Sequence, residues 1–137
     1  MQVSSFEIER RTSHENRRLT KSRNAQYLQL PERSCTPISR TVGKDQVVDE
    51  FILSFTHNTQ WDYLLPGIPP TGKRVELPHV LVMKFENGKV AHEHVWWDQA
   101  SLLVQVGLLD PANLPVVGVE QARRLLHVAG KNADAEA

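Results

Sequence analysis

Titratable and aromatic side chains recur at every second position between residues 91 and 98, which read Ala-His-Glu-His-Val-Trp-Trp-Asp. Because side chains alternate between the two faces of a β-strand, this spacing places His92, His94, Trp96 and Asp98 on one face. A face that only packs in a core is normally aliphatic, whereas imidazole and carboxylate groups transfer protons and an indole stacks on ligands. The spacing therefore predicts a functional face on this strand.

Structural interpretations of the same residues stay open. Asp98 ends the strand and precedes a predicted helix over residues 99–106, and an aspartate in that position commonly caps the helix. His92 and His94 face solvent instead if the other side of the strand is the packed one.

His92 and His94 are two residues apart, which puts both imidazoles on the same side of a strand. Two such imidazoles can be the first two ligands of a zinc site. A third ligand would come from His57 or His79, on neighbouring predicted strands, or from Asp98. Two ligands in a three-residue motif are a weak signal, so we expect no bound metal. Taken alone, His57 and His79 are interpreted first as structural histidines.

Covalent and phosphate chemistry find little support in the sequence. The single cysteine, Cys35, lies in an uninformative stretch and has no second cysteine with which to form a disulfide. No serine stands in a Gly-X-Ser-X-Gly turn, and the glycines around residue 70 belong to a proline-rich loop rather than a phosphate-binding loop.

Hydrophobic periodicity and turn residues predict the elements that position the functional face. Runs of Val, Ile, Leu and Phe are typical of strands, Asn87-Gly88 is a strong hairpin signal, and Trp61 makes an otherwise proline-rich loop apolar. We interpret that loop as a pocket wall or lid. The predicted order is strand, loop, strand, turn, strand and two helices, over residues 45–57, 58–72, 73–85, 86–89, 90–97, 99–106 and 119–127. This order predicts an α+β fold in which an antiparallel sheet has its helices segregated to one side.

Length and charge set the domain organisation. The 137 residues, 40% of them hydrophobic, are enough for one domain, with a basic N-terminal segment over residues 1–36 and a tail over residues 129–137.

Residues 1–44 carry nine lysines and arginines against four acidic residues, and the rest of the chain carries seven against twelve. The basic segment has no interleaved aromatics or recognition motif, which disfavours a nucleic-acid partner. No apolar run reaches the roughly 18 residues of a membrane span, so we expect a cytoplasmic protein.

Five short motifs together resemble the SnoaL-like polyketide cyclase family over about residues 37–128. They are Phe55-Thr56-His57, Gly67-Ile68-Pro69-Pro70-Thr71-Gly72-Lys73, Asn87-Gly88-Lys89, Trp97-Asp98-Gln99 and Leu102-Leu103-Val104-Gln105-Val106-Gly107. The resemblance implies a fold like nuclear transport factor 2, in which a curved antiparallel sheet and helices form a cone around a pocket. It also implies chemistry on small carbonyl compounds without a cofactor.

The resemblance assigns roles to residues. Asp98 matches the strand-end aspartate that acts as general acid and base in that family. Apart from the resemblance, a neighbouring imidazole, that of His94 or His57, would donate a hydrogen bond to the developing oxyanion. His92 and His94 stand where the family usually has Glu and Trp. We expect a small-molecule ligand, contacted by His57, Trp61, His79, His92 and Trp96. The alternatives are a non-catalytic ligand-binding or homodimerisation module, and a metal enzyme built on the histidines.

Overall fold

The computed structural model describes residues 2–7 and 31–131 of the chain, and of residues 2–7 it describes the backbone alone. Within these residues the strands are β1 (Gln2–Glu7), β2 (Arg33–Val42), β3 (Gln46–Thr56), β4 (Arg74–Glu86) and β5 (Lys89–Trp97), and the helices are α1 (Gln99–Gln105) and α2 (Glu120–Val128). The strands form one antiparallel sheet in the order β1-β5-β4-β3-β2. The predicted α+β fold is therefore confirmed.

The hairpin of β4 and β5 turns where the sequence predicts. Asn87 and Gly88 both have positive φ, of 51° and 72°, which is the backbone that a two-residue type I′ turn requires. β4 and β5 pair from the turn to His79 opposite Trp97, with a register shift between Lys84 and Phe85, so the turn and this shift together fix which residues of the two strands lie opposite each other.

Strand β2 crosses the boundary that the sequence places between residues 36 and 37. It pairs with β3 from Arg33 opposite Phe55 to Val42 opposite Val47, with a register shift just after Pro37. Proline has no backbone N–H to donate, and it is tolerated here because β2 is the edge strand of the described sheet. Residues 8–30, most of the basic N-terminal segment, lie outside the described residues, as do residues 132–137 of the tail.

The two helices cover opposite faces of the sheet, so the prediction that they lie on one side is wrong. On the core face, the odd-numbered residues of β3–β5 pack against the loop and α1 in one cluster: Leu53, Phe55, Leu64, Leu65, Val75, Leu77, Val95, Trp97, Leu102 and Val106. On the other face, Ile52 is completely buried beneath Ala122 and Leu126 of α2. The physical reason is that β3 carries apolar residues at both odd- and even-numbered positions. Each face of the sheet must therefore be packed against a helix or loop.

The loop between β3 and β4 packs on the core face, in agreement with its apolar composition. The Trp61 ring meets the Phe55 ring edge-on at 5.0 Å, and Leu64 and Leu65 are fully buried. Backbone bonds from Gly72 N to His57 O (2.9 Å) and from His57 N to Lys73 O (2.8 Å) close the loop at its base. Neither described helix is long and apolar enough to cross a membrane.

Candidate functional site

Asp98 is the N-cap of α1. Its backbone is extended, with φ −91° and ψ 103°, and its Oδ1 accepts hydrogen bonds from the N–H groups of Ala100 (3.0 Å) and Ser101 (3.3 Å). Oδ2 takes no part in the cap and lies 3.4 Å from the Gln121 side-chain nitrogen, which donates to it. The cap thus fixes the carboxylate in one orientation and leaves its second oxygen for other partners.

The half-buried Asp98 side chain borders a partly open cleft of about 360 Å³. The cleft lies on the α2 side of the sheet, and the described residues that line it are Glu50, Pro78, His79, Val80, Trp96, Trp97, Asp98 and Gln121. Its walls are mainly apolar, with the carboxylates of Glu50 and Asp98 and the Gln121 amide as polar groups. The structure therefore brings Asp98 and Trp96 together, as their shared strand face predicts.

Gln121 reaches the cleft because α2 is anchored to the sheet at several points. Ala122 and Leu126 of α2 pack on Ile52, and the Arg123 guanidinium lies 3.6 Å from the Glu76 carboxylate of β4. The Ser101 hydroxyl of α1 donates to the Gly118 carbonyl at 2.7 Å, which fixes the segment that leads into α2. Neither Glu50 nor Gln121 is a site residue in the sequence interpretation. The pairing of β3, β4 and β5 brings Glu50 to the cleft, and the packing of α2 brings Gln121 beside Asp98.

His92 and His94 lie further along β5 and do not line the cleft. Their rings stack at 5.0 Å, and the His94 ring meets Trp96 edge-on at 5.7 Å. Four residues of a strand span about 13 Å, so His94 lies too far along β5 to work directly with the Asp98 carboxylate. In the described part of the chain no group of three or more His, Cys, Asp or Glu side chains is arranged to hold a metal ion.

His79 points its ring to the core face, although the residue itself borders the cleft. His79 is 3% exposed, and its ring stacks between Phe51 (5.3 Å) and Trp97 (5.7 Å). Nδ1 lies 3.0 Å from the Leu77 carbonyl and must donate to it, which leaves Nε2 as an acceptor. Burial lowers the pKa of His79, so the ring is neutral at pH 7 and supports Trp97 from behind the cleft.

His57 and Trp61 also lie on the core side. His57 is completely buried, its Nδ1 accepts the Thr71 N–H at 3.3 Å, and burial lowers its pKa as well. The described neighbours leave Nε2 of both His57 and His79 without a hydrogen-bond partner. His57 thus lies at the base of the loop, where its hydrogen bonds hold the loop in position. Neither His57 nor Trp61 lines the cleft.

Gln99 and Gln105, from the last two motifs of the family resemblance, make hydrogen bonds that position the residues around the cleft. Gln99 accepts from the Trp97 indole nitrogen at 2.7 Å and donates to the Leu64 carbonyl at 3.1 Å. Gln105 accepts from the Glu76 N–H (2.8 Å) and donates to the Glu76 carbonyl (3.0 Å), so one side chain satisfies both backbone groups. These contacts explain why glutamine rather than an apolar residue stands at each position.

We expect stability to fall as the pH drops below about 6.5, the ordinary pKa of histidine. The lowered pKa values of His57 and His79 mean that the unfolded chain takes up protons that the folded chain does not. Above pH 6.5 each histidine makes its full contribution to the free energy of unfolding. As the pH falls from 6.5 to the lowered pKa of the folded state, that contribution decreases by up to about 1.4 kcal/mol per pH unit. Urea unfolding between pH 7.5 and 5.5 measures this slope.

The His79→Phe variant isolates the contribution of His79 to that slope. Phenylalanine keeps a ring between Phe51 and Trp97 but cannot titrate, so its stability should fall less steeply with decreasing pH than that of the unsubstituted protein. His127→Gln, at an exposed histidine of α2, is the matched control and should keep the full slope. A His79→Phe slope equal to that of His127→Gln would show that His79 is not held neutral.

Comparison with known proteins agrees with this architecture. The model of a family described as SnoaL-like polyketide cyclase matches residues 21–106, more than half of the chain. AclR from Streptomyces galilaeus is 24% identical, with a TM-score of 0.51 over 74% of this chain and 71% of its own. TsrD from Streptomyces laurentii is 21% identical, with a TM-score of 0.53 over 66% of this chain and 65% of its own. These two likenesses show the fold, and a comparison with curated protein sequences finds no match.

Proposed function

Since the chain belongs to the SnoaL-like polyketide cyclase family, we propose that its cleft carries out acid/base chemistry on a small carbonyl compound of the polyketide kind, without a cofactor. The observation that supports this most is the arrangement of Asp98: Oδ1 is held by two backbone N–H groups, and Oδ2 lies beside Gln121 at the cleft. A base works best when its orientation is fixed before the substrate arrives.

In the proposed reaction, the Asp98 carboxylate accepts the proton from a carbon between two carbonyl groups. The electron pair of that C–H bond becomes an enolate shared by both carbonyls, and it forms a C–C bond to a third carbonyl carbon of the same molecule. The oxygen of that carbonyl becomes an alkoxide and takes the proton back from Asp98. The Gln121 amide, which donates to Asp98 Oδ2, would stabilise the negative oxygen.

The alternative is a ligand-binding or homodimerisation module without turnover. The helix cap favours it, because capping alone is a sufficient reason for an aspartate at position 98. In that case Asp98→Ala costs about 1 kcal/mol of stability, and Asp98→Asn changes nothing. The cytoplasmic location, the homodimer and the absence of a cofactor stay predictions under both functions.

The position of the binding site is tested by Trp96→Ala, with His94→Ala as its control. Both residues are half-buried on the same face of β5, but only Trp96 lines the cleft. We expect Trp96→Ala to weaken the binding of a β-dicarbonyl or lactone, selected by thermal-shift screening, by about tenfold or more, because an aromatic contact contributes on the order of 1 kcal/mol beyond the area it buries. His94→Ala should leave binding unchanged. Equal losses in the two variants would place the ligand elsewhere, and an effect of His94→Ala on turnover alone would restore its predicted catalytic role.

A further inference from the structure

The charged side chains among the described residues that line the cleft are all acidic. Of the described residues that line it, Glu50 and Asp98 are acidic and none is a lysine or an arginine. The remaining polar group, the Gln121 amide, carries no net charge. None of the described residues that line the cleft therefore carries a positive charge opposite the two carboxylates.

Glu50 lies on the wall of the cleft opposite Asp98. It is directly opposite Val80 on β4, and Val80 is directly opposite Trp96 on β5, so the three residues form one row across the sheet. Strands lie about 4.8 Å apart, so the backbones of Glu50 and Trp96 lie about 10 Å apart. The Ser39 hydroxyl donates to Glu50 Oε2 at 3.1 Å and holds the side chain in place.

A ligand that fills this cleft removes water from the half-buried Glu50 carboxylate. Desolvating a carboxylate without an opposite charge is costly, and one bond from a neutral hydroxyl offsets only part of that cost. A ligand with its own positive charge would pair with Glu50, and the face of the Trp96 indole attracts an organic cation.

We infer that the cleft selects substrates that carry an ammonium or a similar small organic cation, with Glu50 as the specificity-determining residue. The inference rests on the proposed function in one respect, that the cleft of Asp98 is the substrate site. It adds the orientation of the substrate: the cationic group lies toward Glu50 and the reacting carbonyl lies toward Asp98.

Equilibrium binding of choline and of 3,3-dimethylbutan-1-ol tests this inference. The two probes have nearly the same shape, and only choline is charged. With the full chain, titrated by NMR at the Trp96 indole signal, we expect choline to bind at least about tenfold more tightly, and we expect this preference to weaken with added salt. Glu50→Gln should remove the preference and leave the affinity for 3,3-dimethylbutan-1-ol unchanged.

Glu86→Gln is the matched control, because it removes the same charge at the exposed end of β4, outside the cleft. It should keep the preference for choline. Equal affinities of the two probes, no saturable choline binding at millimolar concentration, or a preference that survives in Glu50→Gln would each overturn the inference. These results do not depend on turnover, so choline selectivity together with full activity of Asp98→Asn would reject the proposed function alone.

Discussion

Asp98→Asn is expected to lower turnover of a cyclisable β-dicarbonyl by about 10²- to 10⁴-fold, the usual contribution of a positioned general acid/base. Asparagine has the same shape and still accepts the two cap bonds through its side-chain oxygen, so α1 keeps its N-terminus. It has no carboxylate that could take up a proton at neutral pH. The kinetic loss should therefore come with a free energy of unfolding within about 0.5 kcal/mol of the original value.

The comparison of Asp98→Asn with Asp98→Ala separates the two roles of this residue. Asp98→Ala removes the cap as well as the base, so it should lose turnover and about 1 kcal/mol of stability. Steady-state kinetics and urea unfolding on the same preparations give both numbers. A fully active Asp98→Asn variant beside a destabilised Asp98→Ala variant would make Asp98 a structural cap only.

Trp97→Ala is expected to cost about 3–5 kcal/mol of stability, the range for deleting a buried large aromatic side chain. Trp97 is 3% exposed, its ring contacts His79 at 5.7 Å and Tyr63 at 5.4 Å, and its indole nitrogen donates to Gln99. The deletion therefore leaves a cavity in the core and a glutamine oxygen without its donor. Urea unfolding followed by circular dichroism measures the cost.

Trp96→Ala is the matched control, since Trp96 is the neighbouring tryptophan on the opposite, half-buried face. It should lose clearly less stability than Trp97→Ala, because part of its surface is in water in the folded protein. Trp97→Phe keeps a ring in the core, so its loss of stability should lie between those of Trp97→Ala and Trp96→Ala. Equal losses at positions 96 and 97 would contradict the assignment of the core face.

The secondary structure from residue 46 onward was largely predictable because its signals are local, whereas β1 and β2, two of the five described strands, were not predicted. The Asn87-Gly88 turn sets the hairpin, and the alternation along β5 correctly separates Trp96 from the buried Trp97. The helices follow from their apolar spacing, with ends within a residue or two of those observed. The prediction that both helices lie on one side of the sheet was wrong. Periodicity identifies the apolar face of a helix but does not say which side of the sheet that face packs on.

The candidate site was predictable only in part, for a related reason. Strand parity places His94 and Asp98 on one face, but four residues of strand already separate them by roughly 13 Å, so a shared face alone did not support a joint role. Glu50 and Gln121 reach the cleft through contacts between elements far apart in the chain. The core-side positions of His57 and His79 follow from packing around a loop whose path the sequence does not specify.

Proton abstraction by Asp98 is tested most directly by hydrogen–deuterium exchange at the acidic carbon of a small β-keto ester in D₂O, followed by proton NMR. This exchange reports the first proposed step without requiring ring closure or the natural substrate. We predict that the unsubstituted protein accelerates the exchange well above the rate in buffer and that Asp98→Asn returns it to the buffer rate. Equal acceleration by the two proteins would contradict the proposal that Asp98 is the base.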